Sequence, residues 1–85
     1  MDQQKLDRAI GRRLKTLRTQ AGMTLNELAG RSGVSRAMIG RVERAQSSAT
    51  AALLNKLCAA LDVTLSDVVA LAEKPPERLM RLADQ

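Results

Sequence analysis

The sequence predicts an all-α fold of five short helices, and three observations indicate it. No segment alternates apolar and polar residues with the period of two that a half-buried strand requires. Five segments instead carry apolar residues three and four positions apart, separated by glycines, prolines or capping residues. The chain has no Phe, Tyr or Trp, so its core must be aliphatic, which favours packed helices over a sheet. With 85 residues, we expect one domain with a single modest core.

The first helix is predicted at the start of the chain, where five apolar residues fall on one face. Gly22 follows the last of them and is expected to end the helix as a left-handed cap residue. The basic residues of this segment fall elsewhere on the helix. The apolar face consists of Leu6, Ile10, Leu14, Leu17 and Ala21.

The second and third helices are predicted from capping signals. Thr24 and Glu27 in "TLNE" have the spacing of a capping box, so the second helix begins at Thr24 and stops by Gly33. Ser35 is a natural N-cap for a third helix that runs to about Ala45. The few residues between these helices allow only a tight turn, so the pair predicts a helix-turn-helix.

The fourth and fifth helices complete the predicted domain, which spans residues 1–73. Residues Thr50 to Leu61 carry leucines at helical spacing. Thr64 and Asp67 in "TLSD" resemble a second capping box, with Asp in the place of Glu or Gln. The dipeptide Pro75-Pro76 ends the fifth helix because proline cannot donate a helix hydrogen bond.

Residues 74–85 are interpreted as a linker or tail outside the domain. Leu79, Leu82 and Ala83 would share a face of a short helix, yet the sequence offers no partner for that face. Three interpretations stay open: a linker into an absent sensor domain that could receive an effector, a dimer contact, or a frayed terminus.

The charge distribution indicates a polyanion-binding face. Residues 1–48 hold ten Lys and Arg against four acids, whereas residues 49–85 hold four bases against five acids. One half is therefore basic and the other nearly neutral, as in many nucleic-acid-binding domains. A solvated basic surface without a partner is the alternative.

Composition excludes several other classes of function. The chain has no histidine and one cysteine, Cys58, so a zinc site, an internal disulfide and an imidazole base lack their residues. We expect no enzyme activity, no metal and no cofactor. No apolar run approaches the ~20 residues of a membrane span. The polar start "MDQQKLDRAI" lacks a signal-peptide core. The expected location is the cytoplasm, associated with the nucleoid.

The third helix has the pattern of a DNA-recognition helix. At 100° per residue, three arginines fall on one face with two small residues between them, while Ile39 and Val42 fall on the opposite face. Arginine offers a planar fork for guanine edges and phosphates, and small residues let a helix approach the floor of the major groove. The alternative interpretation of Gly40 is that it is merely tolerated on an exposed face and has no role in binding. The polar face consists of Arg36, Ala37, Gly40, Arg41 and Arg44.

From about Leu14 to Leu71 the chain resembles the Cro/CI-like regulators, also called the xenobiotic-response-element helix-turn-helix family. The matching segments are "LKTLRTQAGMTLNELAGRSGVS", "RAMIGRVERA" and "LLNKLCAALDVTLSDVVAL". The resemblance implies a compact five-helix, lambda-repressor-like domain with the helix-turn-helix at helices 2 and 3. It also implies binding to operator DNA, usually as a homodimer on an inverted repeat. Ala45 departs from the family, which often has glycine at this position.

The resemblance also implies roles for single residues. Thr24 and Asn26 would lie against a phosphate, and residues early in the third helix would face bases or the groove wall. Arg18 and Glu43 match positions that pair as a partly buried salt bridge. The residues expected to contact DNA are Thr24, Asn26, Ser35, Arg36, Ala37, Gly40, Arg41, Arg44, Gln46 and Ser47.

The function predicted from the sequence is sequence-specific DNA binding by a transcriptional regulator, with repression as the expected mode. The alternative is an antitoxin or other protein-interaction module that also binds its own promoter. Non-specific RNA binding is a third hypothesis, disfavoured by the lack of aromatic residues that could stack on bases.

Overall fold

Five helices and no strand make up the part of the chain that the structure, a computed structural model, describes. This part is residues 3–73, without the side chains of residues 70–73. The predicted all-α class and helix order are confirmed. The tail expected at residues 74–85, with Leu79, Leu82 and Ala83, lies outside the described residues. The helices are α1 (Gln3–Gln20), α2 (Leu25–Ser32), α3 (Arg36–Glu43), α4 (Ala51–Leu61) and α5 (Leu65–Glu73).

Each helix contributes one almost completely buried aliphatic residue to a common core. These five side chains expose less than 2% of their surface. Helix α1 packs against both α3 and α5, and α2 packs against α3 and α4, so the helix-turn-helix of α2 and α3 rests on α1 and α4. Cys58 is buried in the same core as a packing residue. The five residues are Leu14, Leu28, Ile39, Leu57 and Val68.

The helix starts follow the predicted caps. Thr24 Oγ1 accepts a hydrogen bond from the Glu27 N–H at 3.0 Å, and Glu27 Oε1 accepts one from the Thr24 N–H at 2.9 Å. Thr64 and Asp67 form the same reciprocal pair at 3.0 and 3.2 Å. Ser35 Oγ accepts from the Met38 N–H at 3.1 Å. Both predicted capping boxes are therefore present, and each satisfies N–H groups that a helix start leaves free.

The third helix ends two residues before the predicted Ala45. Ala45 has φ +58°, a left-handed conformation that stops the helix at Glu43. The Gln46 N–H donates to the Arg41 carbonyl at 2.8 Å, and the Ala45 N–H donates to the Val42 carbonyl at 3.1 Å. These two bonds form a Schellman motif, in which glycine is the usual left-handed residue. The boundary was wrong because alanine gives no local signal for this conformation.

A close contact between α1 and the end of α3 fixes the position of α3. Gly11 is buried, and a methyl group in its place would overlap the carbonyl oxygen of Val42 and lie 2.8 Å from that of Glu43. Only glycine lets the α1 backbone approach these carbonyls so closely. Nearby, Ser48 Oγ donates to Asp7 Oδ2 at 2.6 Å, which ties the loop after α3 to α1.

Candidate nucleic-acid interface

A three-residue turn, Gly33 to Ser35, joins α2 to α3. Gly33 has φ +78°, and its N–H donates to the Ala29 carbonyl at 3.0 Å, which ends α2. Val34 is buried beneath the turn, and its N–H donates to Ser32 Oγ at 3.1 Å. Ser35 then caps α3. The buried valine holds the two helices together, so the start of α3 projects in a fixed direction.

One face of α3 is free to meet a ligand. Ile39 and Val42 point inward and expose only 1% and 2% of their surface. Arg36, Ala37 and Arg41 are exposed. Among the side chains that the structure describes, none forms a hydrogen bond or ion pair with the side chain of Arg36 or Arg41. The division into an apolar and a basic face follows the helical wheel.

Gly40 is buried, whereas the sequence placed it on an exposed face. The Arg44 side chain folds back over it, so that a Cβ at Gly40 would lie 3.2 Å from a terminal nitrogen of Arg44. Helical side chains lean towards the N-terminus and cover the turn before them, which brings residue 44 over residue 40. Arg44 Nε and Nη2 donate to Gln46 Oε1, both at 3.4 Å. These bonds are long, so they hold the guanidinium only weakly.

An open hollow of about 380 Å³ lies on this face of α3. Ala37 and Gly40 line it from α3, and the half-buried Leu25 lines it from the start of α2. Arg36 and Arg44 supply its charged groups. The side chains thus combine an apolar lining with guanidinium donors, and we name this feature the α3 hollow.

A second hollow, of about 290 Å³, lies between α1 and the end of α3. Three exposed basic residues of α1, which we name the α1 stripe, line it beside Arg44 and Ala45. Glu43 is the acid in its lining, and Arg18 neutralises that carboxylate. Sequence reasoning missed this site, although spacings of four and three place the stripe on one helix face. The α1 stripe consists of Arg8, Arg12 and Lys15.

The Arg18–Glu43 pair expected from the resemblance is present. Arg18 Nε and Nη2 donate to the two carboxylate oxygens of Glu43 at 2.7 and 3.0 Å. The side chains expose 10% and 6% of their surface. Arg18 Nη1 also donates to the Met23 carbonyl at 2.9 Å, so one guanidinium joins α1, the following turn and α3. The hydrogen bonds to Glu43 raise the pKa of Arg18 above its ordinary value.

The other expected DNA contacts lie at the edges of the α3 face. Thr24 and Asn26 are exposed at the start of α2. Gln46 is exposed after α3 but already accepts hydrogen bonds from Arg44. Ser47 is half-buried in the loop that follows. Contact of these residues with DNA stays a prediction.

Comparison with known proteins supports this description of the fold. The HTH_3 family profile, described as helix-turn-helix, matches residues 14–68. The HTH-type transcriptional regulator SutR of Escherichia coli K12 is 40% identical over 74 residues, which are 87% of this chain and 39% of SutR. The HTH-type transcriptional regulator SinR of Bacillus subtilis is 37% identical over 57 residues, which are 66% of this chain and 51% of SinR. The chain thus spans about half or less of the length of these two regulators.

Solved structures with similar folds are also regulators. The clp gene regulator ClgR of Corynebacterium glutamicum is 36% identical and has a TM-score of 0.74; the match covers 79% of this chain and 87% of that one. An HTH_3 family transcriptional regulator from Vibrio cholerae is 36% identical with a TM-score of 0.78; the match covers 81% of this chain and 39% of that one. The described helices are also too short or too polar to cross a membrane. With more than half of its residues matched by the profile and the same fold in these regulators, the chain belongs to the HTH_3 helix-turn-helix family.

Proposed function

We propose that the chain is the DNA-binding part of a transcriptional regulator, which reads an operator in duplex DNA through α3. The observation that carries the proposal is the exposed face of α3, where Arg36 and Arg41 have no partner within the described residues while the opposite face is buried. An α-helix fits the major groove, and arginine can bind guanine O6 and N7 together. The similar proteins SutR and SinR are named as transcriptional regulators.

In this proposal, base reading and backbone binding are divided along α3. Arg36, in the first turn, and Arg41 reach base edges, with Ser35 and Ala37 against the groove wall. Thr24 and Asn26 bind a phosphate at the start of α2, where free N–H groups favour an anion. Arg44, Gln46 and Ser47 meet the backbone at the other end of α3. The α1 stripe extends this backbone contact beyond Arg44, since the two share one hollow.

We further propose that two copies of the chain bind an inverted repeat. One recognition helix contacts only a few base pairs, and helix-turn-helix proteins gain specificity by pairing half-sites about one helical turn, roughly 34 Å, apart. We propose repression as the mode of regulation, because a protein bound at the operator excludes other proteins from that DNA. Each half-site would then meet one α3 face.

Selection of bound sites from random duplex DNA tests the proposal. We expect an inverted repeat with at least one guanine in each half-site. A variant with Arg36→Ala or Arg41→Ala should lose about 1–3 kcal/mol of binding free energy on the selected operator and much less on random DNA. Arg31→Ala, an exposed arginine of α2 outside the proposed contacts, is the matched control. Recovery of no preferred sequence would contradict sequence-specific regulation.

A further inference from the structure

We infer that the second hollow, between α1 and the end of α3, binds a compact oligophosphate. Such a ligand contains two or more linked phosphate groups, either free or as the phosphate chain of a nucleotide. It would occupy the cations that the DNA backbone also needs, so it would lower the affinity for DNA. This regulatory consequence rests on the proposed function, whereas binding of the ligand to the free chain does not.

Four cationic side chains line this one hollow: Arg8, Arg12 and Lys15 of the α1 stripe, together with Arg44. Among the side chains that the structure describes, none forms a hydrogen bond or ion pair with the α1 stripe. Like charges four and three positions apart on a helix repel one another and destabilise it. A multivalent anion placed between these cations would remove that repulsion and accept their hydrogen bonds.

The acids close to the α1 stripe already have other partners. Both carboxylate oxygens of Glu43, the acid in the lining, accept hydrogen bonds from Arg18 at 2.7 and 3.0 Å. Asp7, which precedes the α1 stripe, accepts hydrogen bonds from Ser48 Oγ at 2.6 Å and from Gln3 Nε2 at 2.9 Å, one at each carboxylate oxygen. Neither acid therefore pairs with the stripe, and the positive charge of the hollow remains for a ligand.

The dimensions of the hollow favour linked phosphates over a single small anion. The α1 stripe rises about 10 Å from Arg8 to Lys15, at about 1.5 Å per residue, so one sulfate-sized ion cannot contact all of its cations. Arginine binds a phosphate through two parallel N–H groups, and lysine adds a compact charge. Linked phosphates also have a higher charge density than DNA, in which a sugar separates successive phosphates. Ala45 and the aliphatic stems of the long side chains give the hollow apolar surface, which the sugar or base of a nucleotide could cover.

Arg44 connects this hollow to the face of α3, because its side chain lines both hollows. In the free chain it lies over Gly40, and its two hydrogen bonds to Gln46 are both 3.4 Å long. A phosphate in the second hollow would offer it shorter, charge-assisted hydrogen bonds. The bound oligophosphate would thereby withdraw Arg44, as well as the α1 stripe, from the DNA backbone.

Calorimetric titration of the chain with tripolyphosphate, without DNA and at constant ionic strength, tests the binding. We expect saturable binding that Arg12→Ala with Lys15→Ala weakens by about tenfold or more, because hydrogen bonds between charged groups are lost. Arg36→Ala with Arg41→Ala is the matched control, since it also removes two exposed cations and changes the net charge equally. This control should bind tripolyphosphate within about twofold of the parent chain.

Adenosine triphosphate, adenosine monophosphate and sulfate distinguish the sources of the phosphates. Equal affinity for adenosine triphosphate and tripolyphosphate would assign binding to the phosphate chain alone, and tighter binding of adenosine triphosphate would assign the ligand as a nucleotide. Both results support the inference. Adenosine monophosphate and sulfate should bind at least about tenfold more weakly, because each reaches fewer of the cations.

The regulatory consequence is measured as competition with DNA. At constant ionic strength, tripolyphosphate should weaken binding of the parent chain to the selected operator, and it should have less effect on the variant with Arg12→Ala and Lys15→Ala. Saturable binding that leaves operator affinity unchanged would overturn the regulation.

Three results of the titration without DNA would overturn the site itself. They are the absence of saturable binding, equal losses in the two double variants, and sulfate binding as tight as that of tripolyphosphate. Failure of the selection to give any preferred sequence would instead remove the proposed function and leave the titration result standing.

Discussion

Ala45 is a residue whose backbone conformation suits another amino acid. Its φ of +58° completes the Schellman motif after α3, and L-residues pay about 1–2 kcal/mol for this left-handed conformation. The helix ends there because the Arg41 and Val42 carbonyls receive their hydrogen bonds from Gln46 and Ala45. The fold therefore holds Ala45 in a conformation that glycine would adopt without strain.

We predict that Ala45→Gly raises the free energy of unfolding by about 0.5–1 kcal/mol, after the entropy that glycine loses on folding is subtracted. Ala59→Gly is the control, because Ala59 lies within α4 and the same change should there lower stability by about 1 kcal/mol. Urea denaturation of both variants measures the difference. Equal losses would mean that residue 45 is not strained.

Arg18 is the residue whose removal should destabilise the fold most. Its three hydrogen bonds join α1, the following turn and α3, and both members of the ion pair are almost covered. Arg18→Ala or Glu43→Ala would leave a buried charge without its partner, at a cost of about 3–5 kcal/mol. The double change Arg18→Met with Glu43→Leu should recover most of the loss. Chemical denaturation of the three variants tests this, and single-variant losses below about 1 kcal/mol would indicate a solvated pair.

At the scale of single residues, the sequence predicted which positions face inward but not which glycines are covered by other parts of the chain. The inward positions of Ile39 and Val42 follow from helical periodicity, which is a local property. The burial of Gly40 depends on the direction in which Arg44 leans, and the helical wheel does not contain that information. The role of Gly11 depends on a neighbour more than thirty residues away, which no local pattern reveals.

At the scale of helices, the contact of α1 with the end of α3 depends on the absence of a side chain. We predict that Gly11→Ala lowers the free energy of unfolding by about 1–3 kcal/mol, because the added methyl group would push two backbone segments apart. Gly30→Ala is the matched control, since Gly30 lies in α2 with no atom within 4 Å of a new Cβ. That variant should gain up to about 1 kcal/mol of stability from helix propensity.

Thermal unfolding of both glycine variants provides the measurement. Both variants replace glycine by alanine within a helix. Opposite changes in the free energy of unfolding would therefore separate the effect of the α1–α3 contact from that of helix propensity. Similar stability of Gly11→Ala and Gly30→Ala would contradict the close packing. DNA affinity of Gly11→Ala should also fall, because α3 would shift relative to the α1 stripe.

The two capping boxes predict a dependence of stability on pH. Hydrogen bonds from the backbone N–H groups of Thr24 and Thr64 lower the pKa of Glu27 and Asp67 in the folded chain. Carboxylates with a lowered pKa stabilise the fold fully above their unfolded pKa, about 4, and lose this contribution as the pH falls through the folded value. The contribution of these two carboxylates to the free energy of unfolding should therefore be constant near neutral pH and decrease in acid.

The variant with both Glu27→Gln and Asp67→Asn should lose less stability between about pH 5 and pH 2 than the parent chain. Denaturation midpoints at several pH values measure this. The parent chain at neutral pH is the reference, because both carboxylates are ionised there. Identical acid profiles would show that the capping carboxylates do not contribute.

Helix starts were predictable from the sequence because their signals are local. A capping threonine and a carboxylate three positions later act on the same turn, so "TLNE" and "TLSD" identified α2 and α5. The end of α3 was not predictable, since Ala45 lacks the usual glycine signal. The spacing of the α1 stripe in the sequence places its residues on one helix face. Its proposed contact with the DNA backbone, however, depends on the position of Arg44 in the folded chain.

At the scale of the whole molecule, Arg44 and the α1 stripe predict the salt dependence of DNA binding. Each phosphate contact contributes about 0.9 to the slope of log affinity against log salt. Arg44→Ala, Arg12→Ala and Lys15→Ala should each flatten the slope by nearly that amount and weaken operator and random DNA alike. Lys56→Ala, at an exposed lysine of α4, is the control and should leave the slope unchanged. Slopes equal to that of the parent chain would exclude the α1 stripe from the contact.

Assembly is the second prediction at this scale. We expect the chain to be mainly monomeric in free solution and to pair on the operator, where the two half-sites bring two copies together. Sedimentation at micromolar concentration, with and without the inverted repeat, measures this. A tight dimer without DNA would show that the chain already carries a complete dimer interface.

The unpaired side chains on α3 have a consequence for how such a chain can diverge. Arg36, Ala37 and Arg41 lie outside the core, and neither arginine engages the rest of the described chain, so new residues there leave folding nearly unchanged. After gene duplication, one copy can therefore acquire a different operator through a few mutations while remaining folded at each step. Gly11, Arg18 and Glu43 do not have this freedom, because the scaffold depends on them. Selection can act on target choice and on the scaffold almost independently.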